Sequence, residues 1–187
     1  LDIKWVVSRA VDDGGVLILN ADDVLLVGKA KDYTGSIIWF SLDASKKLIT
    51  EHVANKGLAF VLDDESLTKI SADESLIICK SEDIPITLGG AARHNIANAL
   101  AASALTYALG MSIEEIRSGL MGMSQDDNPG RCMIYDIDGI KVLVDFAHNP
   151  HAMQALFDMA SALPAKRRLL AFGQAGDRPD ELIRELA

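Results

Sequence analysis

Val142-Leu143-Val144 is a short apolar run that closes on Asp145-Phe146-Ala147-His148-Asn149-Pro150. An acid at the carboxyl end of a buried strand can accept two hydrogen bonds from a ribose diol. Pro150 suits the first turn of a helix. A phosphate at that helix start would meet unpaired backbone N–H groups, the positive helix end and the His148 imidazole. A plainer reading stands beside it, with Asn149 as a helix cap and Asp145 as a turn residue.

Three further stretches carry chemistry. In Gly89–Ala102, His94, Asn95 and Asn98 fall in the first turns of an alanine-rich helix. Spacings of three and four put them on one face. Asparagine is a poor helix former, so it needs a reason there. The reason is either capping and internal polar contact, or a carboxamide presented to the N6 and N7 edge of adenine. In Asn128-Pro129-Gly130-Arg131 a turn delivers an arginine whose planar fork matches phosphate. A surface arginine after a turn is the commoner outcome. In Phe172–Ile183, Gly173 and Gly176 make a loop that can approach a ligand closely, followed by Asp177 and Arg178. That loop is not Gly-x-Gly-x-x-Gly, which weakens a nicotinamide-binding reading. Within these residues there is no Gly-x-x-x-x-Gly-Lys-[Ser/Thr] phosphate loop, no Cys/His metal spacing and no nucleophile-elbow serine.

The elements that must position these residues follow from periodicity. Helical spacing over 3–11 ends at Gly14-Gly15. Val16–Leu19 reads as a strand covered on both faces, and Asp22 or Asp23 as the cap of a helix reaching Lys29. Strands are expected at 36–42, 58–62, 66–70 and 75–79, with 43–55 polar and undecided. A helix is expected over 92–109, stopped by Gly110. Ser112 with Glu115 forms a capping box for a helix to about Met121. The turn-rich stretch 122–130 is a candidate domain boundary. After it come a hairpin about Asp138-Gly139, a helix over 151–163, a strand over 168–172 and a helix from Asp180. Strand, helix, strand and helix predict a parallel βαβ unit. The whole is an α/β chain with a mixed sheet.

The bulk numbers narrow the class. The 187 residues are 49% apolar and 24% charged, enough for a real core without disulfides. A formal net charge of −9 argues against nucleic acid and anionic membrane as partners, though not against a small anion. Cys79 and Cys132 lie in apolar runs and read as buried thiols in a reducing, cytoplasmic setting. The most apolar helix is too short and too interrupted to span a bilayer. Of the four histidines, His52 and His151 are expected to face solvent.

Leu19-Asn20-Ala21-Asp22-Asp23, Gly89–Ala102, Asn128–Arg131, Val144–Pro150 and Gly173–Arg178 occur in the order, and at about the spacing, that resembles Mur ligases, most of all the cyanophycin-synthetase type. The resemblance covers nearly the whole chain and is strongest from Ile84 onward. It implies a segment of an ATP-dependent carboxylate–amine ligase that works through an acyl phosphate. Residues 1–127 would be the later part of the ATP-binding α/β domain. Residues 128–187 would be the start of a Rossmann-like C-terminal domain. By the same resemblance His94, Asn95 and Asn98 face adenine, and Asp145 holds the ribose. Arg131 and His148 are the expected catalytic residues, with Asn149 close to the nucleotide. Asp177 and Arg178 lie towards an amino-acid or peptide-like substrate. The family's phosphate loop and Mg²⁺-binding acids would lie upstream, so this stretch alone is expected to be inactive. A non-catalytic nucleotide-binding or assembly module is the alternative.

Overall fold

The structure, a computed structural model, describes residues 5–173 and 180–186. Strands β1 (Val16–Asn20), β2 (Ser36–Ser41), β3 (Leu58–Asp63), β4 (Ser66–Ile70) and β5 (Ser75–Lys80) form one sheet in sequence order. The first three are parallel. The last two run antiparallel to their neighbours. Helices α1 (Val24–Ala30) and α2 (Lys47–Ala54) make the parallel crossovers. Helices α3 (Arg93–Ala108) and α4 (Ile113–Gly122) cover the other face.

The two-residue period of the strands sorts their side chains between the faces. In β3, Phe60 and Leu62 enter the core under α3 and α4, while Ala59 and Val61 enter the core under α1 and α2. Helix α3 buries Ile96, Ala99, Leu100, Ser103 and Ala104, a stripe at helical spacing, against this sheet. Ser103 satisfies its hydroxyl by donating to the Ala99 carbonyl at 2.7 Å. Asp23 is the cap of α1, accepting from Leu25 N and Leu26 N at 2.8 and 3.2 Å. Asp22 instead ties the ends of β1 and β2 together by accepting from Ser41 Oγ, Leu42 N and Lys46 Nζ. The capping box of α4 is present as expected, with Ser112 and Glu115 bonded reciprocally.

A second, two-stranded sheet pairs β6 (Met133–Ile137) with β7 (Ile140–Val144), and α5 (Pro150–Ala162) follows. Their turn holds Asp138 and Gly139 at φ 53° and 80°, the left-handed pair that a tight hairpin requires. A small core of Ala92, Cys132 and Met159, with Leu88, Leu143 and Leu156 around it, joins the start of α3 to this layer. The last described element is α6 (Asp180–Leu186).

Several expectations are corrected. The first element is a 3-10 helix over Val6–Ala10. The undecided segment 43–55 holds α2, anchored by the fully buried Ile49. No strand forms over 168–172, so the described residues contain no βαβ unit there. Arg168 donates to the carbonyls of Ala160, Ser161 and Leu163 at the end of α5, which draws the segment back against that helix. Leu169 is left 83% exposed. His52 is half-buried rather than solvent-facing, lying so close beneath Gly57 that a Cβ there would collide with the imidazole. No helix among the described residues is long and apolar enough to cross a membrane.

Candidate functional site

The approach to α3 is built from backbone that glycine favours. Leu88, Gly89 and Gly90 lie consecutively at φ 56°, 68° and 88°, a left-handed run that carries little cost at the two glycines. Gly90 N donates to Thr87 Oγ1 at 3.2 Å. Helix α3 then starts without a side-chain cap, and with Arg93 at its positive end. That placement is unfavourable by itself. Glu65 offsets it by accepting from Arg93 Nη1 at 3.0 and 3.1 Å and from Ser81 Oγ. Glu65 sits with Asp64 in the β3–β4 turn, both at positive φ.

On the first turns of α3, Asn95 is 7% exposed and donates to the Ile86 carbonyl at 2.7 Å. Asn98 is exposed and donates to Asn95 Oδ1 at 3.3 Å. Asn95 therefore braces the loop before the helix, and Asn98 is the carboxamide presented outward. His94 places Nε2 3.1 Å from Cys132 Sγ, which the Asn95 side chain also reaches.

Asp145 closes β7. It accepts from Cys132 N at 2.9 Å, from Ala147 N at 2.7 Å and from Cys132 Sγ at 3.4 Å. The result is a polar chain, His94–Cys132–Asp145, linking the start of α3 to the end of β7. Burial, with the Asp145 charge adding to it, pushes the Cys132 thiol up to about 12, so the sulfur stays protonated and is not a nucleophile. Burial pulls the His94 imidazole below its ordinary range, against an opposing pull from Asp145. His94 Nδ1 is buried and has no hydrogen-bond partner among the described residues.

On the outer rim, the Arg131 guanidinium stacks 5.0 Å from the centre of the Phe146 ring, a cation–π contact. Phe146 meets the His148 ring at 5.0 Å, and His148 Nδ1 lies 2.9 Å from the Phe146 carbonyl. Asn149 is the cap of α5, its Oδ1 accepting from Ala152 N at 2.9 Å. Both simpler readings of this corner thus hold locally: Asn149 caps, and Asp145 makes a turn. They coexist with the gathering of His94, Arg131, Asp145 and His148 at one corner. Asp177 and Arg178 lie outside the described residues. Reading the sequence missed the bridging part of Cys132, the ring platform of Phe146 and the Glu65 brace. The first two lie directly beside Arg131 and Asp145, which was the available signal.

A larger cleft, about 1040 Å³, opens between β7, α5 and residues 167–173. Met153, Leu156, Phe157, Leu170 and Phe172 give it a mostly apolar wall, and Asp145 and His148 of the corner also line it, with Lys141, Arg167 and Arg168.

The chemistry of the corner is also testable by pH. Burial lowers both His52 and His94, with backbone groups of Leu58 and Ile37 opposing the effect at His52. A histidine held low in the fold contributes stability in full above its unfolded pKa of about 6.5. That contribution is lost as pH falls through this value towards the lower folded one. Urea midpoints measured from about pH 7 down to about pH 5.5 are expected to fall in the wild type and to fall less steeply in His94→Gln and in His52→Gln, each of which leaves the other histidine in place.

Residues 130–187 match the family described as Mur ligase, glutamate ligase domain. From Gly130 onward the chain is thus similar to a Mur ligase domain. Along nearly all of its length it is similar to cyanophycin synthetases. It is 36% identical to that of Geminocystis herdmanii over 181 residues, 96% of this chain and 21% of that one. It is 32% identical to that of Synechocystis sp. over 186 residues, 98% of this chain and 21% of that one. It is also 30% identical over 166 residues to the UDP-N-acetylmuramate–L-alanine ligase of Xylella fastidiosa, 84% of this chain and 32% of that one. A folylpolyglutamate synthase structure from Thermotoga maritima aligns with a TM-score of 0.37 at 23% identity, over 67% of this chain and 31% of that one. The chain spans about a fifth of the length of the cyanophycin synthetases it matches.

Proposed function

We propose that this chain forms the base-side and ribose-side walls of the ATP site of a carboxylate–amine ligase. The observation that carries the reading is the His94–Cys132–Asp145 chain of contacts, which unites two motifs far apart in sequence. Residues 1–127 act as the later part of an ATP-binding domain and residues 128–187 as the beginning of a C-terminal ligase domain, meeting at this corner.

The residues suit a nucleotide. Asn98 offers an outward carboxamide to a purine edge. His94 Nδ1 is a buried polar atom with no hydrogen-bond partner among the described residues. Asp145 supplies carboxylate oxygens for ribose hydroxyls, and Asn149 fixes the adjoining helix start. Arg131, exposed and held flat on Phe146, is a cation for the phosphates, with His148 beside it. ATP would supply the phosphoryl group that activates a carboxylate for attack by an amine, and the protein's part is positioning and charge neutralisation. Among the described residues no cluster of three His, Cys, Asp or Glu side chains could hold a metal ion, so no residue here is assigned to Mg²⁺. Asp177 and Arg178 are assigned to the amino-acid or peptide-like substrate on the resemblance alone.

The test is Mg-ATP affinity and ADP release in the whole gene product. Asn98→Ala is expected to weaken affinity about tenfold, the worth of a good polar contact. Arg131→Ala is expected to lower turnover at least as much. Wild-type values in both variants would refute the site.

A further inference from the structure

Proton accounting at the His94–Cys132–Asp145 contacts gives a definite polarity. A neutral imidazole carries one N–H, and a thiol carries one S–H. Suppose the thiol proton pointed at His94 Nε2. The sulfur would then face the Asp145 carboxylate at 3.4 Å with no proton between them. His94 would also carry its own proton on Nδ1, a buried donor with no acceptor among the described residues. Orphaned buried N–H groups are the rarest kind. The opposite arrangement gives both contacts a donor and an acceptor, and leaves the sulfur able to accept from the Asn95 side chain as well. His94 Nε2–H donates to Cys132 Sγ, and Sγ–H donates to Asp145 Oδ2. Nδ1 is left as a bare acceptor. The high thiol pKa and the lowered histidine pKa, both caused chiefly by burial, keep the two groups in these protonation states.

Backbone geometry adds a second observation. Cys132 sits at φ 48°, outside the region that most L residues prefer, with its N–H also bonded to Asp145 at 2.9 Å. This unusual conformation holds both the amide and the thiol of one residue on the same carboxylate, while the sulfur reaches α3.

We propose that Cys132 is a positioning residue for His94: through Asp145 it fixes the imidazole as the Nε2–H tautomer, so that Nδ1 stands as an acceptor for an N–H or O–H donor of the bound ligand. This rests on the nucleotide reading, where such donors are the exocyclic amine of the base and the ribose hydroxyls. It makes Cys132 a determinant of what the site accepts without touching the ligand.

The test is nitrogen–proton correlation spectroscopy on the chain labelled with ring-¹⁵N histidine, with the His94 signals assigned by His94→Gln. Without nucleotide, the wild type is expected to show one tautomer, protonated at Nε2 and bare at Nδ1. Cys132→Ser, which keeps an O–H in place of the S–H, is expected to show the same tautomer. Cys132→Ala is expected to lose it in favour of a mixture. A proton on Nδ1 in the wild type, or an unchanged tautomer in a folded Cys132→Ala, overturns the proposal. A proton on Nδ1 in the wild-type or the serine sample overturns the proposal even where the alanine variant does not fold. ATP titration of the whole gene product separates this proposal from the reading beneath it. Cys132→Ala is expected to weaken ATP binding about tenfold, with serine restoring it. Unchanged affinity in His94→Ala would remove the nucleotide reading while the tautomer result still stood or fell by itself.

Discussion

Asp145→Ala is expected to lower the unfolding free energy by about 2–3 kcal/mol and to abolish measurable ATP binding. One carboxylate accepts from Cys132 N, Ala147 N and Cys132 Sγ. Cys132 is only 4% exposed, so water cannot replace the lost acceptor for its amide and thiol. The cost is therefore that of stranding buried donors, which exceeds the net gain from an ordinary hydrogen bond. Asp145→Asn keeps one acceptor oxygen but turns an N–H₂ towards the other donors, so it should fall between alanine and the wild type. Urea unfolding checks this: the midpoint should drop with an unchanged slope. A change under about 0.5 kcal/mol would mean that the Asp145 bonds do not hold the corner together.

Phe60→Ala is expected to cost more, about 3–5 kcal/mol. Phe60 is wholly buried in β3, between β2 and β4, and packs against Tyr107 of α3 with ring centres 5.7 Å apart. Removing the ring leaves a cavity where α3 meets the sheet, and close-packed surroundings collapse into such a space only in part. Phe60→Leu should recover most of the loss. The functional consequence follows from the same geometry. Helix α3 carries His94, Asn95 and Asn98 on its first turns, so a loosened α3 should lower the fraction of protein competent to bind nucleotide. Heat or urea unfolding of both variants checks the stability, and nucleotide binding corrected for the folded fraction checks the coupling. A Phe60→Ala midpoint close to the wild type would contradict the packing account.

Local signals made much of the fold legible. The strands around Leu17, Ile38, Phe60 and Ile78 announced themselves as short apolar runs bounded by turns. Gly110 marked the end of α3, and the Ser112–Glu115 capping box the start of α4. Helix α2 was not legible because its N-cap is Lys46, which makes no side-chain cap bond, and because its polar face outweighs the single fully buried Ile49. The stretch 168–172 has the composition of a strand, yet pairing is a non-local property. Arg168 commits the segment to the carbonyls ending α5.

At the site, residue types and order brought His94, Asn98, Arg131 and Asp145 forward, but not their connections. Cys132 read as one more buried thiol. Its left-handed backbone and its two contacts to Asp145 depend on where β6 begins relative to α3, which spacing alone does not encode. Asn95 and Asn98 looked equivalent on a helical wheel. Burial separates them, one bracing the loop at Ile86 and the other facing outward.

The central claim is that the first turns of α3 and the end of β7 wall one nucleotide. A structure of the whole gene product bound to a non-hydrolysable ATP analogue tests it most directly. The expected result is a purine edge within about 3 Å of Asn98 or His94 Nδ1 and ribose hydroxyls at the same distance from Asp145. A nucleotide bound with its base and ribose away from both would contradict the account.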